Sequence, residues 1–204
     1  YLTYLGFESL NTIDEEGTVP FNKEHNGINI GECVCFVLPE KQSECASDEI
    51  RVVAKSELID SYGMTSPNPD GHVEASGMKE VIREAGLLET EAFGYVNAHG
   101  TGTKANDEME TKAIASALSG LNYFVSSTKS YHGHTPGTAG LFEIIISALV
   151  LKSNFVPPTL KLTPERKHYL ARGKHVKLRW AISNSYAFGG NAVSVLLQRG
   201  EHND

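Results

Sequence analysis

Apolar residues follow two rhythms along this chain. Short runs rich in β-branched and aromatic residues, each bounded by turn-forming positions, predict strands at about 33–38 (CVCFVL), 50–59 (IRVVAKSELI), 93–97 (FGYVN), 123–127 (YFVSS), 179–184 (RWAISN) and 192–198 (AVSVLLQ). Longer stretches space their apolar residues as helices do. Residues 72–86 set Val73, Met78, Val81, Ile82 and Ala85 on one face and close at Gly86. Residues 106–118 open with Asn106 as a candidate N-cap and carry Met109, Ala113, Ile114 and Ala117. A third helix, 138–153, is apolar nearly all round, which predicts a place between layers. Polar and turn-forming breaks fall at 14–18, 42–48, 66–71 and 163–175, the last bracketed by Pro164 and Gly173. Strand and helix alternate, and two consecutive strands finish the chain. This order predicts an α/β fold with a mixed sheet, its parallel strands joined by crossover helices and its last strand an antiparallel edge.

Composition narrows the function classes. The chain has 204 residues, 40% of them apolar, enough for a sizeable core and too apolar for a disordered segment. Eighteen basic against 25 acidic side chains give a net charge of −7, and no Lys/Arg stripe offsets it, so nucleic acid and anionic membrane are poor electrostatic partners. The most apolar stretch, 141–151, contains Glu143 and is too short to cross a bilayer; the N-terminus lacks the order of a signal peptide. Cys33, Cys35 and Cys45 are sparse, and C-x-C is neither a redox C-x-x-C nor a zinc half-site, which fits a reducing, cytoplasmic setting. The chain begins at Tyr1 without a methionine, so a processed chain or a fragment of a longer protein is expected.

Three segments, each just after a predicted strand, hold small and polar residues that packing does not require: 97–103 (NAHGTGT), 129–134 (KSYHGH) and 184–191 (NSYAFGGN). In an open α/β sheet the loops at the carboxyl ends of the strands share one crevice, which would bring His99, Lys129 and His134 together. Two imidazoles beside an ammonium suit a reaction that builds negative charge on a carbonyl oxygen. Neutral imidazole N–H groups donate to the oxyanion, and the lysine cation keeps the rings neutral. Each residue also has a plainer reading. A lone histidine after a strand is often structural. Gly133, Gly137 and Gly140 suit tight turns, Gly189 and Gly190 suit a hairpin, and Thr101 and Thr103 suit local caps. His99, His132 and His134 as metal ligands lack a carboxylate or cysteine at ligand spacing.

Taken in order, the three segments resemble the C-terminal half of the β-ketoacyl-acyl-carrier-protein synthases, the condensing enzymes of fatty-acid and polyketide synthesis. Residues 97–103 with Asp107 and Glu110 resemble the family's first histidine motif, 126–140 (SSTKSYHGHTPGTAG) its lysine and second-histidine motif, and 184–191 its phenylalanine gate. Upstream, 6–10 (GFESL), 20–27 (PFNKEHNG), 30–32 (IGE) and 64–71 (MTSPNPDG) also resemble it, so the likeness runs along nearly the whole chain. The resemblance implies a thiolase-like fold: a mixed five-stranded sheet with crossover helices, the C-terminal half of an α-β-α-β-α layered molecule. It implies that His99 and His134 hold a malonyl thioester during decarboxylation and that Lys129, partnered by Glu143, sets their electrostatics. Phe188, with Gly189 and Gly190, would gate the acyl chain. Thr101 and Thr103 would line the channel for the phosphopantetheine arm of acyl carrier protein, and Asp107 would support the histidine loop. No other cofactor and no metal is implied; the partners are acyl carrier protein and a second synthase subunit, as a homodimer or a paired chain.

The sequence departs from the family in informative places. The nucleophilic cysteine of these enzymes opens a buried helix in their first half, in a context such as T-A-C-S, which is absent here. Gly31-Glu32-Cys33-Val34-Cys35 stands where the family reads G-E-G-A-G, and neither cysteine is placed at a helix N-terminus that would lower its pKa. Tyr186 replaces a usual phenylalanine, and Ala192 a small polar residue. The expected division is therefore residues 1–48 as the tail of the first half, including its last strand, and 49–204 as the C-terminal half. A non-catalytic, chain-length-factor-like partner is the alternative, and a degradative thiolase fits the H-G-T-x-T and K-x-x-x-G-H segments less well.

Overall fold

The computed structural model describes residues 1–22, 27–41, 49–88, 91–163 and 166–200. Cys45, Pro164, His25, His202 and the turn expected at 42–48 lie outside them. The core is a five-stranded sheet built from β1 (Ile50–Ile59), β2 (Phe93–Asn97), β3 (Tyr123–Ser126), β6 (Leu178–Ala187) and β7 (Asn191–Arg199), in the order β1-β7-β6-β2-β3. β2 pairs in parallel with both β3 and β6; β7 runs antiparallel to β6 and to β1. The mixed sheet with crossover helices is thus as expected, but the final strand is not its edge. β1 covers it, because β1 places Ala54 and Ser56 on the buried side of a nine-position register with β7.

Two helix layers sandwich this sheet, and strand parity sorts the side chains between them. Val96, Val125, Ile182 and Leu196 point to α2 (His72–Glu84) and α3 (Lys104–Ala117), where Met78, Val81, Ile82, Met109 and Ile114 complete one core. Tyr95, Phe124, Ala181 and Leu197 point the other way, to Val150 and Leu151 of α5 (Ala139–Ser153). Strands β2 and β3 are buried on both faces, as parallel strands between helices must be. Gly86 follows α2 with φ +67, as expected of a helix stop. α3, by contrast, starts at Lys104 rather than at Asn106, whose side chain turns inward to Asp107. On α2 the buried position is Glu74, not its neighbour Val73.

Four elements were not visible in the apolar pattern: the N-terminal helix α1 (Leu2–Ser9), the single turn α4 (Lys129–His132) and the paired two-residue strands β4 (Phe155–Val156) and β5 (Lys174–His175). The strand expected at 33–38 is absent. That segment has no regular structure and joins no ladder among the described residues, and Val34, Phe36 and Leu38 stand 79%, 90% and 86% exposed. A strand exists only against another strand, and the described residues supply none at this position. Helix α5 likewise lies against the sheet on one side only, leaving Leu141 and Leu149 exposed on the other. No helix among the described residues is long and apolar enough to cross a membrane.

Candidate active site

The three motif segments leave the carboxyl ends of β2, β3 and β6, which run in the same direction, and they meet at one cavity of about 660 Å³. His99 and His134 face each other across it edge to face, their ring centroids 5.6 Å apart. Both are among its lining residues, with Thr101, Thr103, Phe188 and Gly190. Gly189 sits in the same β6–β7 turn.

His99 is fixed through its backbone. Its N–H and that of Gly100 donate 2.8 Å hydrogen bonds to the two carboxylate oxygens of Glu110, and its carbonyl accepts from Lys129 Nζ at 2.6 Å. Lys129, in the turn α4, is 1% exposed, and its ammonium pairs with the carboxylate of Glu143 on α5, which is wholly buried. Asn97 and Ser147 hold the carbonyl of Glu143. Lys129 therefore ties the loop after β2 to the helix on the far side of the sheet. Asp107 bridges a different pair of segments, accepting from the backbone N–H of Gly102 at 3.2 Å and of Phe21 at 2.6 Å.

His134 is held from the N-terminal side of the chain. Its N–H donates to the carbonyl of Asn29 at 2.7 Å, and its carbonyl accepts the N–H of Gly31 at 2.6 Å. At Gly31 a Cβ would collide with the carbonyl of His132, so the approach requires glycine. Phe7, from α1, packs against both His134 (6.2 Å) and Phe188 (5.6 Å). Phe188 occupies a tight turn with Gly189 and Gly190, whose φ values are +84 and +83. At Gly190 a Cβ would also strike the carbonyl of Asp60. The segment is a glycine hairpin turn between β6 and β7, and Phe188 within it lines the cavity.

Burial and the Lys129 charge set the protonation states. Burial first, then Lys129, holds His99 well below its ordinary value, and the same two causes bring His134 down to about 3. Both rings are neutral at physiological pH, and each Nδ1 lacks a partner among the described residues. Two neutral imidazoles next to a buried ammonium can donate hydrogen bonds to a developing oxyanion. Burial raises Glu110 to about 7 against the pull of its two backbone N–H donors, and it raises Glu143 against the opposing charge of Lys129. His132 is not part of this pair. Its Nδ1 lies 2.8 Å from the carbonyl of Gly133 and its Nε2 3.2 Å from Thr128 Oγ1, so protein groups occupy both nitrogens. Thr103 stands at the N-cap of α3, but its hydroxyl bonds to that of Thr101 at 3.1 Å and makes no cap hydrogen bond.

Cys33 and Cys35 lie in the unpaired segment, their sulfurs 3.2 Å apart, with no helix N-terminus to stabilise a thiolate. Hydrogen bonding from Cys33 pushes the Cys35 thiol up, opposite to what a nucleophile needs. Glu110 and Phe7 fall in segments that resemble the family but carry no individual role there, and Asn29 and Glu74 belong to none of them. A signal existed for two of them: Glu74 and Glu110 occupy core-facing positions of amphipathic helices, where a carboxylate calls for an explanation.

Comparison with known proteins agrees with this geometry. Residues 51–163 match the β-ketoacyl synthase C-terminal domain. Over 200 residues the chain is 34% identical to 3-oxoacyl-[acyl-carrier-protein] synthase 2 of Vibrio cholerae serotype O1, covering 91% of this chain and 48% of that protein. It is 31% identical to the same-named enzyme of Synechocystis sp. over 215 residues, covering 97% and 51%. Among solved structures, the ishigamide ketosynthase/chain length factor superposes with a TM-score of 0.87 at 27% identity, over 98% of this chain and 51% of that one. A β-ketoacyl synthase from Burkholderia phymatum superposes at 0.83 with 26% identity, over 98% and 52%. The chain spans about half the length of the relatives it matches. By motif, fold and match together, the chain belongs to the β-ketoacyl synthase family, through that family's C-terminal domain.

Proposed function

We propose that this chain is the C-terminal portion of a synthase that joins malonyl-carrier protein to an acyl thioester with loss of carbon dioxide. The observation that carries the reading is the pair of buried neutral histidines, His99 and His134, facing one cavity with the Lys129 ammonium behind them. As the malonyl carboxylate departs as carbon dioxide, its bonding electrons move into the thioester and form an enolate. The two imidazoles stabilise the enolate oxygen by donating to it. The enolate carbon then attacks an acyl group carried on a cysteine, and the cysteine sulfur leaves as thiolate. That cysteine is none of the described ones. Phe188 over the cavity suits a gate, and Thr101 with Thr103 suits a channel for the phosphopantetheine arm of acyl carrier protein, which brings the substrates; no other cofactor is called for. Asp107 and Glu143 support the site from beneath.

In this reading residues 1–48 are the tail of the preceding half and 49–204 the C-terminal half. The family match beginning at residue 51 and the lack of regular structure at 33–38 support that division. The setting is the cytoplasm, and the partners are acyl carrier protein and a second synthase subunit. The test is carbon dioxide release from malonyl-carrier protein, followed alongside acyl labelling of the chain. The chain alone is expected to decarboxylate slowly, to lose that activity on His134→Ala, and to form no condensation product. Stoichiometric acylation of Cys33 or Cys35 with product formation would overturn the reading. A chain-length-factor-like partner is favoured by one observation, Cys33-Val34-Cys35 in place of small residues. Absence of any decarboxylation, with stable binding to an active ketosynthase, would select it.

A further inference from the structure

One wall of the cavity is not accounted for by the reaction proposed above. Glu74, in the first turn of α2, lines the cavity and is 3% exposed, and its Oε2 has no hydrogen-bond partner among the described residues. Tyr186, near the end of β6, lines the same cavity with its Oη also buried and unpartnered, and its ring centroid is 5.4 Å from that of His99. Asp60 is close enough to Glu74 to raise its pKa but does not pair with it, since its two oxygens accept the backbone N–H groups of Tyr62 and Asn68. Buried polar atoms without partners cost stability, and two of them in residues that line one cavity with the histidine pair require a reason.

The chemistry of the pair specifies its ligand. Glu74 Oε2 is an acceptor. Burial, with the carboxyls of Glu110 and Glu74 adding to it, keeps Tyr186 protonated, so Oη is a donor as well as an acceptor. An aliphatic hydroxyl donates and accepts at once. A ketone can only accept, an ammonium can only donate, and a carboxylate would be repelled by Glu74 and Asp60. We propose that Glu74 and Tyr186 form a polar subsite that selects an acyl thioester bearing a hydroxyl group within a few carbons of the thioester. The inference rests on the reading of this cavity as an acyl-thioester site.

The experiment measures binding of three N-acetylcysteamine thioesters of equal chain length, unsubstituted, 3-hydroxy and 3-oxo, to the full 204-residue chain. The wild type is expected to bind the 3-hydroxyacyl thioester about tenfold more tightly than the unsubstituted one, the yield of one to two added hydrogen bonds, with the 3-oxo compound between them. Tyr186→Phe and Glu74→Met should each reduce that preference to threefold or less. Both should leave affinity for the unsubstituted thioester unchanged or higher, and Glu74→Met should raise the melting temperature by removing an unpaired carboxyl. Tyr186→Phe alone decides the matter if Glu74→Met does not fold. Equal affinity for all three thioesters, or a preference that survives both variants, would overturn the subsite while leaving the acyl-thioester cavity intact. If no thioester binds, the cavity is not an acyl site and both readings fall.

Discussion

Replacing Lys129 by methionine isolates the electrostatics on which the site depends. Lys129 and Glu143 are both fully buried, and Glu143 Oε2 already lacks a partner among the described residues, so removing the ammonium leaves a carboxylate in the core with no described group to neutralise it. Asn97 and Ser147 do not compensate, because both bond to the Glu143 carbonyl and not to its carboxylate. Breaking a buried pair in this way costs about 3–5 kcal/mol. A second route gives a similar figure. Without Lys129 the carboxyl must stay protonated in the folded state, and holding it so from its ordinary value near 4.5 up to pH 7 costs about 1.4 kcal/mol per pH unit, or roughly 3–4 kcal/mol. The folded-state value is raised, so the penalty is absent below about pH 4.5, where both states bind the proton, and grows as pH rises towards the folded-state value. Urea unfolding of Lys129→Met at pH 5 and pH 8 should therefore show a small loss at the first and the full loss at the second. Lys129→Met with Glu143→Leu should recover most of it, since a well-packed apolar pair replaces an ion pair at little net cost. A single-variant loss below about 1 kcal/mol, a loss equal at both pH values, or a double variant no better than the single one would refute the buried pair.

Glu110→Gln should cost about 1–3 kcal/mol, because a carboxamide can accept only one of the N–H groups of His99 and Gly100 on its oxygen and turns a second donor on the other. Thermal unfolding measures this, and an unchanged midpoint would show that the loop does not depend on the carboxylate. Gly190→Ala is expected to destabilise by about 2 kcal/mol or more, since it adds a left-handed φ to a collision with Asp60; an unchanged urea midpoint would contradict the turn. The wild-type chain should self-associate at micromolar concentration through the outer face of α5, and Leu149→Lys, at a position 59% exposed, should weaken that association. Sedimentation of the wild type as a monomer that binds no hydrophobic dye would show that this face is covered.

Strands β2 and β3 were legible because burial between two helix layers demands continuous apolar sequence and the fold cannot disguise it. The loops carrying His99, Lys129 and His134 were legible for a related reason: residues there are small, polar and unneeded for packing, and the parallel strands before them point to one end of the sheet. The supporting residues were harder to read. Glu110 and Glu74 stand at core positions of α3 and α2, and a carboxylate in such a place reads as an interruption of the apolar face until its partners, or the lack of them, are seen. Phe7 and Asn29 reach the site through contacts far from it in sequence, and no local spacing announces them.

The strand expected at 33–38 and the face of α5 share one physical explanation. An alternating or all-round apolar pattern records what a segment would bury, not whether the rest of the chain supplies the cover. Glu143, Ser147, Val150 and Leu151 take the sheet side of α5, and its apolar residues at 141 and 149 are left on the outside, where a second layer would sit. Val34, Phe36 and Leu38 are exposed in the same way, a few residues beyond the contacts by which Asn29 and Gly31 fix His134. A chain that covered that segment would adjoin the two hydrogen bonds that hold the second histidine. A partner that pairs with residues 33–38 should hold the His134 loop more rigidly, and hydrogen exchange at the amides of Gly31 and His134 should slow when it binds. Exchange at those two amides that is the same with and without the bound partner would separate the segment from the site.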